Sequence, residues 1–231
     1  MSLKKLNVVV AGATGYVGLD LVYLLSKHPK VKLNNLCAQK KIGKNIKSFD
    51  KRIKKTLPNI SHIKNVNWKK IDLVFLSLPN GEAQKTIKKL LKYNNLKFID
   101  LSADFRIKDV KQYKDYYQKK HLAKKLIKYS IYSISEFVKR DIKNYKIIAN
   151  PGCYPTSIQL PLFPIIKKKL INLKNISIDS KSGYSGAGKN FKKKFTHKNL
   201  MNSIFAYSVN KHRHMSEIDQ EFNKIIRSKV E

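Results

Sequence analysis

Leu6-Asn7-Val8-Val9-Val10-Ala11-Gly12-Ala13-Thr14-Gly15-Tyr16-Val17-Gly18 decides the architecture. Residues 6–11 form a short continuous apolar run, the mark of a strand covered on both faces of a parallel sheet. Val17, Leu21, Leu24 and Leu25 then share one helical face, and Pro29 ends that helix. The reading is strand, glycine turn, helix. Gly12 permits the tight turn, Gly15 lets backbone approach a pyrophosphate at the helix N-terminus, and Gly18 lets the helix pack on the strand. The spacing G-x-x-G-x-x-G is looser than the strict dinucleotide fingerprint, but it follows the first strand, where that fingerprint belongs.

Outward from this unit the alternation continues. Residues 32–38 read as a second strand ending in Ala38-Gln39-Lys40-Lys41. No acid stands there to meet a ribose 2′-hydroxyl, and two lysines suit a 2′-phosphate, so NADP is favoured over NAD. Residues 43–70 read as a polar excursion. Strands are expected at 71–78, 96–101, 127–134 and 146–149, with helices at 82–93, 109–121 and 135–144. Cys37 is read as core. The expected class is α/β: a doubly wound, Rossmann-type NADP-binding domain over residues 1–150.

The stretch Asn150-Pro151-Gly152-Cys153-Tyr154-Pro155-Thr156 joins the last of these strands to a helix. Pro155 suits the first helical position. Pro161 and Pro164 are expected to kink or break the helix over 157–170. Cys153 falls at the helix N-terminus, where the dipole and free amides favour a thiolate, and so is a nucleophile candidate. Arg106, after the strand ending in Asp100, stands where open α/β sheets bind ligands and is a candidate anion clamp. Residues 175–180 alternate like an antiparallel strand, residues 181–189 form a glycine-rich loop, and 190–205 are weakly patterned. Ser216 is expected to cap a last helix with Asp219 three residues on.

The 231 residues carry a formal charge of +34. Nucleic-acid binding is the sharp explanation. Against it, the cations are nearly all lysines spread along the whole chain beside abundant Ile and Asn, with no basic arm, base-stacking series or recognition helix. Compositional drift accounts for them; weak adhesion to polyanions at low salt follows anyway. Two cysteines make neither a disulfide framework nor a four-ligand zinc site, which fits a reduced cytosolic setting. His212 and His214 are not spaced as a helical metal pair, so no metal is expected. No stretch is apolar enough to span a bilayer.

A thiolate, two histidines and a nicotinamide-type fold suggest acyl transfer to a thiol with hydride transfer. The same residues carry a resemblance. From residue 6 onward the chain resembles the N-acetyl-γ-glutamyl-phosphate reductases, NADP-dependent enzymes of arginine biosynthesis. The motifs are GATGYVG at 12–18, DLSADFR at 100–106, NPGCYPT at 150–156, SGYSGAG at 182–188 and HRHMSE at 212–217. The resemblance implies that Cys153 attacks an acyl phosphate, phosphate leaves, and the thioester is reduced to a semialdehyde with hydride from NADPH. It implies His214 or His212 as acid/base, with His214 preferred and Glu217 orienting the pair. Arg106 would hold phosphate, and amides near residues 152–154 would form an oxyanion hole. The cofactor set would be Gly12, Thr14, Gly15, Tyr16, Val17, Gly18, Lys40 and Gly186; the substrate set would be Ser102, Arg106, Asn150, Ser185, Lys189 and Glu217.

Lys189 stands where the family has Arg, Ser216 where it has Pro, and Asn80 where it has His. Family chains run well past residue 231, so residues 151–231 are expected to be an incomplete α+β catalytic and substrate domain, the chain a fragment, and the full-length protein a homo-oligomer. A sister reductase acting on carrier-protein-linked aminoadipyl phosphate shares the cysteine motif and stays open, as does an inactive nucleotide- or polyanion-binding fragment. Aspartate-semialdehyde dehydrogenases are relatives whose cysteine motif lacks this Pro-Gly-Cys-Tyr-Pro run.

Overall fold

The computed structural model describes residues 4–138, 141–189 and 202–227. Seven parallel strands form one sheet: β1 Leu6–Ala11, β2 Val31–Cys37, β3 Ile60–Ser61, β4 Leu73–Leu76, β5 Lys97–Asp100, β6 Ser130–Tyr132 and β7 Ile147–Ala149. Their order is β3-β2-β1-β4-β5-β7-β6. The order runs one way from β1 through β2 and the other way through β4, so the carboxyl ends of β1 and β4 flank the reversal.

Both faces are covered, as the continuous apolar strands require. Val8 and Val10 of β1 face Leu19 and Val22 of helix α1 (Tyr16–Lys27) in one core. Val9 and Ala11 point the other way, into a core with Ala83, Ile87 and Leu90 of α2 (Glu82–Leu90). Successive residues of one strand thus serve opposite layers. Helices α3 (Val110–Tyr117) and α4 (Ser135–Val138) follow, then α5 (Cys153–Lys167) and α6 (Met215–Arg227). Helices α5 and α6 pack together, with the Phe163 and Phe222 rings 5.5 Å apart.

Several expectations need correction. Residues 124–129 form 3₁₀ turns, so the strand expected over 127–134 shrinks to the three residues of β6. The excursion contributes β3, a two-residue edge strand paired to Leu36 and Cys37. Helix α5 is one continuous helix despite Pro161 and Pro164, and it starts two residues before Pro155. Residues 175–180 form no strand: all but half-buried Ser180 lie exposed, without a ladder partner among the described residues. Ser216 is not the cap of α6. Its hydroxyl donates to the Arg213 carbonyl from inside the first turn, and the His214 carbonyl accepts the amides of Glu217 and Ile218. Most of the weakly patterned 190–205 stretch, residues 190–201, lies outside the described residues.

Candidate active site

The glycine turn lies at the carboxyl end of β1. Gly12 has φ +84°, and a Cβ there would meet the Ser77 carbonyl oxygen at 2.0 Å. A Cβ on Gly18 would meet the Gly12 carbonyl oxygen at 2.1 Å. Both are demanded by close backbone packing. Gly15 is different: a Cβ there would find only the Gly12 oxygen, at 3.5 Å. Gly15 caps α1 with no side chain on the helix's first amides. The open approach and uncapped N-terminus fit a pyrophosphate. Thr14 is half-buried there, and Tyr16 and Val17 are exposed beside it. Lys40 and Lys41 are exposed just past β2. The loop carrying Ser185 and Gly186 is a 3₁₀ turn over Tyr184–Ala187. From its end Lys189 reaches the glycine turn: its ammonium donates to the Thr14 carbonyl and lies 5.5 Å from the Tyr16 ring centroid. Lys189, expected among substrate contacts, thus touches the glycine turn.

Cys153 is the first residue of α5 and its thiol is exposed. Cys37, by contrast, is buried in β2, and burial pushes its thiol up to about 11. Gly152, the N-cap of α5, is pressed from both sides. A Cβ there would stand 2.7 Å from His214 Nε2 and 3.0 Å from Arg106 Nη1. The Tyr154 ring lies 5.3 Å from that of His212 and 6.1 Å from that of His214, and the two imidazoles are 4.9 Å apart. Cys153 therefore has a buried imidazole one residue away and a half-exposed one beside it.

Beneath this turn lies one fully buried carboxylate. Glu217 Oε1 accepts from Arg106 Nη1 at 3.1 Å, and Oε2 accepts from the Tyr132 hydroxyl at 3.1 Å and the Gly152 amide at 2.9 Å. Arg106 also donates from Nε to the Asn150 carbonyl (2.7 Å) and from Nη2 to the Leu101 carbonyl (2.8 Å). The expected anion clamp is thus a buried guanidinium held on three sides by protein. The oxyanion-hole expectation is corrected in part, because the Gly152 amide is committed to Glu217. The Cys153 and Tyr154 amides stay at the helix start. Ser102 is buried, its hydroxyl accepting the Asp104 amide, and Asn150 is exposed with its amide on the Pro151 carbonyl.

Burial, then Arg106, Arg213 and His212, push the His214 pKa down to about 3. The imidazole is therefore neutral near pH 7, and its Nδ1 is buried without a partner among the described residues. Nε2 lies 3.9 Å from Glu217 Oε1, where a proton gained by the ring would meet negative charge. Burial also lowers His212, with Arg213 adding to the effect. Burial opposes the charge of Arg106, yet Glu217, Tyr117 and Asp100 more than offset it, and its pKa is raised. Asp100 is pushed up to about 7 by burial and by Asp104.

Sequence reading missed Tyr132 and Gln159. Gln159 is fully buried in α5, its amide 3.4 Å from the Glu217 carbonyl. In sequence both pass for ordinary core positions of a strand and a helix. Among the described residues no group of three or more His, Cys, Asp or Glu side chains could hold a metal, and no helix is long and apolar enough to cross a membrane.

Comparisons with known proteins bear on this arrangement. The model of the semialdehyde dehydrogenase NAD binding domain matches residues 7–145, and that of the semialdehyde dehydrogenase dimerisation domain matches residues 153–231. A probable chloroplastic N-acetyl-γ-glutamyl-phosphate reductase of Oryza sativa subsp. japonica is 41% identical over 98% of this chain and 54% of its own length. The N-acetyl-γ-glutamyl-phosphate reductase of Rhodospirillum rubrum is 42% identical over 94% of this chain and 63% of its own. The chain spans somewhat over half the length of these curated relatives. Among solved structures, aspartate semialdehyde dehydrogenase II of Vibrio cholerae superposes with a TM-score of 0.65 at 18% identity, covering 98% of this chain and 68% of that one. That likeness shows the shared fold. With a family model matching more than half of its residues, the chain belongs to the semialdehyde dehydrogenase family.

Proposed function

We propose that the protein is an NADP-dependent reductase of N-acetyl-γ-glutamyl phosphate, with residues 1–150 serving the cofactor and residues from 151 onward the chemistry. The observation that carries this reading is the exposed Cys153 at the N-terminus of α5, one residue from a glycine packed against His214. The named relatives are reductases of this substrate, which selects the acyl group.

Cys153, as thiolate, attacks the acyl carbonyl, and phosphate departs to leave a thioester. The uncapped amides at the start of α5 face the carbonyl oxygen as it gains charge. The guanidinium of Arg106 lies beneath the same turn, where it balances Glu217 and keeps that negative charge from opposing the thiolate and the phosphate. When bound, NADPH would supply hydride to the thioester carbon, and the hemithioacetal on Cys153 then breaks its C–S bond to release the semialdehyde and the thiolate. The glycine turn 12–18, Lys40 and the Ser185–Gly186 loop with Lys189 hold that cofactor. Neutral His214, against the same turn, stabilises the hemithioacetal oxygen, and the half-exposed His212 passes the thiol proton to solvent. Two unpaired thiols fit a reducing cytoplasmic compartment, and the matched dimerisation region fits a homodimer.

The test is run in the reverse direction on the full-length protein: NADP reduction by N-acetylglutamate semialdehyde. Turnover should require inorganic phosphate or arsenate and vanish in Cys153→Ala. Phosphate-independent turnover, or turnover surviving that substitution, overturns the reading.

A further inference from the structure

We propose that Glu217, anchored by Tyr132, is the positioning residue that fixes the Gly152–Cys153 turn. The inference rests on Cys153 being the nucleophile.

Glu217 was expected among the substrate contacts. Its side chain is fully buried, and its two oxygens are held by donors from three separate elements. Arg106 comes from the loop after β5, Tyr132 from β6, and Gly152 from the turn before α5. Little of the carboxylate's acceptor capacity is left for a ligand. What it does grip is the backbone of the residue before the nucleophile. The Gly152 carbonyl is fixed in turn, accepting the Thr156 amide at 3.0 Å and the Thr156 hydroxyl at 2.8 Å. Gly152 is thus pinned through both of its backbone groups, its amide by α6 through Glu217 and its carbonyl by α5 through Thr156.

Charge decides why a carboxylate can do this so near a thiolate. An unpaired anion there would disfavour the thiolate. Arg106 cancels that charge directly, and the Tyr132 hydroxyl disperses part of it. Other polar groups around the turn and its carboxylate include Tyr154 on α5, Tyr117 on α3, Asp100 at the end of β5, Tyr207, His212 and Arg213 from the segment before α6, and His214, neutral at working pH. Removing the Tyr132 hydroxyl therefore leaves more negative charge beside Cys153. Removing the Glu217 charge leaves Arg106 unopposed.

The two variants should move the thiol in opposite directions, which a general loosening would not do. The experiment measures the pH profile of Cys153 alkylation by iodoacetamide in the 231-residue chain, read by mass spectrometry with buried Cys37 as internal reference. In Tyr132→Phe the midpoint should rise, and the rate at a pH below it should fall about threefold to tenfold; one unit is tenfold in thiolate. In Glu217→Gln the midpoint should fall. A Tyr132→Phe profile that overlays the parent overturns the proposal, even where Glu217→Gln fails to fold. So does a shift of both midpoints in the same direction. Opposed shifts in a protein that shows no phosphate-dependent NADP reduction uphold the positioning role and sink the reductase reading instead.

Discussion

His214 Nε2 lies so close to Gly152 that a Cβ on that glycine would stand 2.7 Å away. The contact puts the imidazole against the backbone that leads into Cys153. Arg106 closes the other side at 3.0 Å, so the glycine has no direction in which to grow. Gly152→Ala should leave the sheet and the glycine turn intact while pushing His214 away from the thiol. Misplacement by about 1 Å is enough for a loss of roughly 10²-fold in turnover. NADP affinity, measured by fluorescence quenching, should stay within twofold of the parent.

Gly12 and Gly15 make a matched pair of tests. Alanine at Gly12 meets a positive φ and a carbonyl oxygen at 2.0 Å, and should cost more than about 2 kcal/mol in urea unfolding. Alanine at Gly15 meets nothing closer than 3.5 Å and should cost less than about 1 kcal/mol. If the pyrophosphate lies over Gly15, that near-harmless variant should still weaken NADP binding about tenfold or more. Equal NADP affinity in Gly15→Ala and parent would place the cofactor elsewhere.

Lys189 offers a smaller effect with a distinct signature. Its ammonium is exposed, so its attraction for a bound phosphate is worth at most about 1 kcal/mol, or fivefold in affinity. Lys189→Ala should weaken NADP binding by about that factor at low salt, and the difference should shrink as ionic strength rises.

His214 gives the fold a pH dependence of definite sign. Its folded pKa of about 3 lies below the ordinary value near 6.5, so between those limits the unfolded chain binds the extra proton. Stability from this residue is full above about 6.5 and is lost as pH falls toward 3. Asp100 works the other way. Its folded pKa of about 7 exceeds the ordinary carboxyl value of 3.8, so its contribution is full below 3.8 and lost as pH rises through 7. Urea midpoints should show His214→Asn gaining on the parent as pH falls from 7 to 4, and Asp100→Asn gaining as pH rises from 4 to 7.

The parts of the molecule set by local pattern were legible in the sequence. The apolar run 6–11 and the glycine spacing gave β1 and α1, and Cys153 fell at a helix start as its prolines and glycine suggested. What escaped was set by distant partners. The alternation at 175–180 has the period of a strand, but a strand is made by its neighbours, and none pairs with it among the described residues. β3 was hidden because two residues hold no period, and only pairing with Leu36 and Cys37 defines it. Arg106 could be named as important, but not as buried, because its partner Glu217 is 111 residues away. Tyr132 was given no role: a tyrosine in a short strand looks like core until its hydroxyl is seen on a carboxylate.

The grip of Glu217 on Gly152 spans 65 residues of chain. A ribosome therefore releases Cys153 well before the acid that sets its turn. At ~5–20 residues per second, that interval is about 3–13 s. The turn is set only when α6 docks, so an interrupted nascent chain carries Cys153 on a backbone that its acid does not yet hold.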